Sequence, residues 1–266
     1  MGGRVVRIDT PDDPRLLPYF AVKERDLVGR EGLFIAEGEV VVRVLASRSH
    51  HRVVSLLLEE RRVTPMHDVL EALSDVPVYV VPQAVMDTVV GFPIHRGVLA
   101  LGAACSSTSA ASLVAHGRLW VGLVGLANHD NVGSIFRNAA AFGVDGVLLD
   151  DTTCDPLYRK AIRVSAGAAL VVPFARAGSP HQMLDLLEAR QIEAIALTPR
   201  GDETFDALSP SPRVLLLGAE GPGLPEDVMA RARRVRIEME PLLDSLNVAV
   251  ASGIALHEAT RIARKP

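Results

Sequence analysis

The sequence predicts an α/β protein of two domains, and three observations carry that reading. In the second half, short apolar runs alternate with amphipathic helical stretches, the pattern of a mostly parallel sheet covered by helices on both faces. Ahead of it lies a shorter alternation of strands and helices, set off by the small, uncharged stretch Gly102 to Ser112. The apolar runs of the second half also end in amide-rich or glycine-rich turns, and ligands of such sheets bind at the carboxyl ends of the strands. The division expected is residues 1–102, a linker over 103–116, and residues 117–266.

In the first domain, Leu33 to Glu39 leads into a helix from Val40 to Ser47. Strand-like Val53 to Leu58 follows, then a helix near Met66 to Ala72 and a strand from Val76 to Val81. In the second, strands are expected at Leu119–Leu126, Gly146–Asp150, Leu170–Phe174, Ile192–Leu197, Val214–Leu217 and Val235–Ile237. Helices are expected at Ser134–Phe142, Pro156–Ser165, Pro180–Arg190, Glu226–Ala232 and Asn247–Ala263.

Bulk composition narrows the function. With 48% apolar and 23% charged residues, the 266-residue chain reads as soluble and globular. A net charge of −4 gives no global basic footprint, so any nucleic acid must be held by a local patch. Cys105 and Cys154 are too few and too far apart for a disulfide framework, which points to a reducing cytoplasm. No apolar run has the length of a membrane span, and Met1-Gly2-Gly3-Arg4 leads into no signal-peptide core. The eight histidines are scattered without metal-ligand spacing, and no metal is expected.

Three segments hold chemistry-bearing residues. The first, Asn128-His129-Asp130-Asn131-Val132-Gly133-Ser134-Ile135-Phe136-Arg137-Asn138, puts an amide-rich turn after a buried strand and an arginine on the helix that follows. Each of those polar groups needs a partner once desolvated, so the segment reads as a site. The second, Leu215 to Leu224, ends a strand in three glycines around Glu220. Glycine lets a backbone approach a ligand closely, yet Pro222 removes an amide and G-x-G-x-x-G is absent, so a plain strand-to-helix turn is the competing reading. The third, Arg236 to Ala251, runs through a proline-containing loop into the last helix, where Ser245 or Asn247 could serve simply as caps.

Together the three resemble the SpoU/TrmH-type RNA ribose 2′-O-methyltransferases of the SPOUT superfamily. The family's first motif, an asparagine followed six residues later by arginine, is met by Asn131 and Arg137. Its second, Gly-x-Glu-Gly-x-Gly-Leu, is met by Gly218, Glu220, Gly221, Gly223 and Leu224. Its third is met by Ile237, Met239, Ser245, Leu246, Asn247 and Val248, with Glu238 where proline is usual and Ala249 where serine is frequent. The stretch Arg30 to Glu39 looks more loosely like the family's substrate-recognition domain, which is similar to ribosomal RNA-binding proteins.

That resemblance implies a deep trefoil knot in the C-terminal domain, a homodimer through it, and S-adenosylmethionine as cofactor. It implies catalytic roles for Asn131, Arg137, Glu220, Ser245 and Asn247, and cofactor contacts from Leu197, Thr198, Gly218, Gly221, Ile237, Met239 and Leu246. The last helix, with its small residues Ala249, Ala251, Ser252, Gly253 and Ala255, is expected near the dimer contact. Arg137 is the family's proposed general base; a guanidinium is a poor base at neutral pH, so stabilising a developing alkoxide and gripping phosphate is the equal alternative. Glu220 is expected to fix its loop or pair with Arg137. Of two basic groups, Arg159, Lys160 and Arg163 are favoured for RNA phosphate over Arg231, Arg233, Arg234 and Arg236. Ribosomal RNA is the expected substrate, with transfer RNA and a catalytically silent RNA-binding protein as alternatives. A nucleotide-dependent oxidoreductase would want G-x-G-x-x-G after the first strand of this domain, where Ala127-Asn128-His129-Asp130 stands instead.

Overall fold

The computed structural model of the protein describes residues 5–20, 32–91, 97–105, 108–240 and 244–263. Arg30 and Glu31 of the recognition-domain stretch, and Pro241 to Leu243 of the third motif, lie outside the described residues. The chain divides into two compact units: Met1–Ser106 with Asp155–Val171, and Ser107–Cys154 with Val172–Pro266.

The first unit is built on a mixed five-stranded sheet of β1 (Val5–Arg7), β2 (Leu33–Glu37), β3 (Arg52–Glu59), β4 (Val78–Val81) and β5 (Val98–Ala103), in the order β1-β4-β3-β5-β2. β4 is parallel to β1 and β3, whereas β5 is antiparallel to β3 and β2. The helices Glu39–Ser47 and His67–Ala72 form where their apolar periodicity predicts. β1, β5 and the helix Gln83–Val90 were not anticipated; β1 is only three residues long and β5 is an almost continuous apolar run of ambiguous period, whereas the helix carries a legible helical spacing in Val85, Met86, Val89 and Val90 that was missed. The expected linker is partly regular, since β5 reaches Ala103 and a helical turn spans Ala110–Leu113.

The second unit is an all-parallel, seven-stranded sheet. Its strands are β6 (Leu119–Val124), β7 (Gly146–Leu149), β8 (Phe174–Arg176), β9 (Glu193–Leu197), β10 (Glu203–Thr204), β11 (Arg213–Gly218) and β12 (Arg233–Arg236). They run in the order β10-β12-β9-β11-β6-β7-β8. β6, β7 and the interior of β11 are buried throughout, which explains their unbroken apolar runs. Trp120 is almost fully buried, and its indole Nε1 donates to the Leu113 carbonyl at 3.2 Å.

Two departures from the expected elements have local causes. The strand expected at Leu170–Phe174 instead begins at Phe174. Gly167 takes a left-handed φ of +87° into a short 3₁₀ turn, and Pro173 has no N–H for a ladder. The first-motif helix starts at His129, not near Gly133, because Asn128 caps it: the Asp130 amide donates to Asn128 Oδ1 at 2.9 Å. The turn before this helix is braced by Asp150, only 2% exposed, whose carboxylate accepts from the Gly125 and Thr153 amides and the Thr152 and Thr153 hydroxyls.

The last helix, Val248–Ala263, lies along the helix His129–Phe142. Asn138 Nδ2 donates to the Ala249 carbonyl at 2.8 Å and to Ser252 Oγ at 2.9 Å, with Gly253 close against the same amide. Ser252 and Ala255 of the small-residue face are buried inside the chain. Val250 and Ile254, one turn apart, are left exposed.

Candidate active site

At the carboxyl ends of three neighbouring strands, β12, β9 and β11, the second unit opens into a pocket of about 750 Å³. Ligands of such sheets bind in the crevice outside the carboxyl ends of the strands. Thr198 continues β9, and its amide still donates to the Val235 carbonyl at 3.0 Å. The glycines shape the opposite wall. A side chain on Gly218 would lie 2.3 Å from the Leu224 amide nitrogen, so the chain can fold back on itself only with glycine there. The Gly223 amide closes that turn on the Ala219 carbonyl at 3.0 Å, and Gly221 and Gly223 take φ of +84° and +71°.

All seven residues expected at the cofactor line this one pocket: Leu197, Thr198, Gly218, Gly221, Ile237, Met239 and Leu246. Glu220, Ser245 and Asn247 line it as well. Sequence reading missed Arg200, Leu217, Met229, Asp244, Val248 and Ala251 in its walls. Arg200 and Asp244 could have been found by asking which charged residues flank the motifs.

Asn131 sits at one edge of the pocket in a clasp whose orientation follows from a helix cap. Asn247 Oδ1 accepts from the amides of Ala249, at 2.9 Å, and Val250, at 3.4 Å, so its Nδ2 must face the other way. That nitrogen donates to Glu220 Oε1 at 3.1 Å and to Asn131 Oδ1 at 3.1 Å. Asn131 Nδ2 donates to the same carboxylate oxygen. A carboxylate only accepts, so it fixes which end of each amide faces it. Asn247 is thus a helix cap, and the cap sets the amide that holds Glu220.

Arg137 stands apart. It is exposed, on the same helix as Asn131, and among the described residues it makes no hydrogen bond or ion pair. The expected pairing of Glu220 with Arg137 is not formed; the two asparagines take that carboxylate instead. Ser245 is exposed in the pocket wall just ahead of the last helix.

Arg159, Lys160 and Arg163 fall on the helix Arg159–Val164 of the first unit. Arg159 Nε donates to Glu37 Oε2 at 2.8 Å, and Arg163 lies 3.7 Å from the same oxygen; Glu37 itself is 3% exposed. Arg159 therefore neutralises a buried carboxylate, while Lys160 and Arg163 point to the surface. Three of the other basic group are held by carboxylates, Arg231 by Asp185 and Glu188, Arg233 by Glu193 and Glu203, and Arg234 by Asp202 and Glu226, while Arg236 donates to the Gly201 carbonyl. His257 is exposed, 3.5 Å from Glu258 and edge-on to Phe142.

The SpoU rRNA methylase family pattern matches residues 118–257, and a tRNA/rRNA methyltransferase from Mycobacterium tuberculosis, itself uncharacterized, is 41% identical over 263 residues, spanning 94% of this chain and 90% of that one. The chain belongs to the SpoU rRNA methylase family. Membership makes it an RNA methyltransferase of the SpoU type, and the match covers the whole of the pocket and clasp. Solved structures with the same fold include an AdoMet-bound rRNA methyltransferase from Sinorhizobium meliloti, with a TM-score of 0.84 at 24% identity over 97% of this chain and 98% of that one. An RNA 2′-O ribose methyltransferase aligns with a TM-score of 0.79 at 25% identity over 97% and 99%.

Proposed function

We propose that this SpoU methyltransferase transfers a methyl group from S-adenosylmethionine to a ribose 2′-hydroxyl of RNA, ribosomal RNA before transfer RNA. The observation that carries the reading is the junction of pocket and clasp: Glu220 and Asn247 line the cavity, and both bind Asn131 of the helix that bears Arg137. The residues present fit the cofactor. Strand-end backbone suits a purine and ribose, the glycine turn leaves room that side chains would fill, and the volume is ordinary for a cofactor site.

When bound, S-adenosylmethionine supplies a sulfonium methyl that is already a good electrophile. The protein's task is then alignment and management of the hydroxyl proton. Leu197, Thr198, Gly218, Gly221, Ile237, Met239 and Leu246 hold the cofactor, and Ser245 supports its ribose side. The clasp of Asn131, Glu220 and Asn247 fixes the reacting edge. Arg137, with no protein partner among the described residues, grips an RNA phosphate beside the target ribose and stabilises the developing oxyanion as its proton passes to water. The first unit, with Lys160 and Arg163, contributes to holding the RNA, and Arg159 is assigned there through its anchoring of the same helix.

The chain works in the cytoplasm as a homodimer through the second unit, and its last segments form the trefoil knot of its family. The exposed Val250 and Ile254 form the centre of the contact. Light scattering at micromolar concentration should give a dimer, and Val250→Glu with Ile254→Glu should give a monomer; a monomeric wild-type protein refutes this part. The function is tested by mapping ribose methylation across total RNA from cells with and without the gene. Loss of one 2′-O-methyl mark in ribosomal RNA is the expected result. A lost transfer-RNA mark would correct the substrate, and a lost base methylation would overturn the reaction assigned.

A further inference from the structure

Two opposite charges in the pocket wall are left over by the clasp. Of the described lining residues only Arg200, Glu220 and Asp244 carry charged side chains, and Glu220 already accepts from Asn131 and Asn247. Arg200 and Asp244 make no side-chain hydrogen bond or ion pair among the described residues, neither with others nor with each other. Both residues are exposed at the pocket wall, and the remaining lining is largely aliphatic side chain and glycine, so these two supply the charged groups there that no described side chain holds.

Arg200 is fixed in its wall by the turn that carries it. The Gly201 amide donates to the Thr198 carbonyl at 3.1 Å, and Arg236 Nη1 donates to the Gly201 carbonyl at 2.8 Å. A side chain on Gly201 would lie 2.5 Å from the Arg236 amide nitrogen, so the turn is pressed against the residues of β12. The turn has one place to be, and residue 200 is on its pocket side. Asp244 stands in the segment leading to the last helix and lines the same cavity.

We propose that Arg200 and Asp244 form the subsite for a zwitterionic α-amino acid end, Arg200 binding the α-carboxylate and Asp244 the α-ammonium of the cofactor's methionine part. A lone phosphate would satisfy Arg200 but be repelled by Asp244, whereas a zwitterion matches both charges at once. The assignment rests on the proposed cofactor pocket and adds what recognises the end of the ligand away from the adenosine.

The test is calorimetry on the full chain with two ligands. S-adenosylhomocysteine carries the zwitterion; 5′-methylthioadenosine keeps adenosine and thioether but lacks it. Arg200→Ala and Asp244→Asn should each weaken S-adenosylhomocysteine binding about 10- to 100-fold. Methylthioadenosine affinity should stay within about twofold, which also shows that the variants are folded. Unchanged S-adenosylhomocysteine affinity in both variants overturns the subsite, as does an equal loss for both ligands. Intact S-adenosylhomocysteine binding with weakened RNA binding in Arg200→Ala also overturns it, and reassigns the arginine to phosphate. If Ala251→Phe, which intrudes on the pocket, leaves S-adenosylhomocysteine affinity intact, the pocket assignment itself fails and the subsite falls with it.

Discussion

Arginines in the second unit fall into two populations that look alike in the sequence and differ in the fold. Arg231, Arg233 and Arg234 are packed into four residues of chain and read as a basic patch. Each is held by two carboxylates, and hydrogen bonding to Glu203 and to Asp185 raises the Arg233 and Arg231 guanidinium pKa values above the ordinary arginine range. Arg137 and Arg200 are isolated in sequence, and among the described residues their side chains have no hydrogen-bond or ion-pair partner. Density of positive charge along the chain thus does not say which cations the fold leaves without a carboxylate.

Substitutions can break or sharpen this contrast. The largest effect is expected at Arg137. Arg137→Ala should lower methyl transfer by about 10³-fold, the scale of losing one transition-state stabilising group, with no change in Tm. Arg137→Lys tests the fork: near-normal turnover would argue against any need for bidentate contact. Next is Asn247→Asp, which keeps the cap acceptor but sets a carboxylate against Glu220. Activity should drop by about 10²-fold or more, whereas Asn247→Ala should lose activity and also about 1 kcal/mol of cap stability, read by denaturant titration. A third effect concerns salt. The slope of log affinity for RNA against log salt should shrink by about one in Arg137→Ala and stay unchanged in Arg231→Ala. The smallest effect is expected at Arg233. Arg233→Ala should leave methyl transfer intact and lower Tm by about 3 °C or less, because partly exposed ion pairs contribute little. Loss of activity there would erase the distinction between the two populations.

Legibility differed between the two units for a physical reason. β6, β7 and the interior of β11 are buried on both faces, so they stand out as apolar runs near their expected limits. In the first unit the continuous apolar run of β5 hides its period. Two-residue β10 is too short to leave a pattern at all. Within the site, the glycines of the second motif were readable because close backbone approach admits no other residue at Gly218. The partners of Glu220 were not, since an exposed carboxylate can pair with any donor the fold brings within reach.

The sequence alone determined the α/β class, because periodicity is a local property of the chain, and its three motifs carried the resemblance to the family it belongs to. Tertiary structure decided which of those residues meet. It joined Asn131, Glu220 and Asn247 across separations of up to 116 positions, gave Glu220 to two asparagines in place of Arg137, and set Arg200 in the wall of the same pocket as Asp244. Pairings of that kind depend on which strand ends lie side by side in the sheet, and strand order is not written in any single segment.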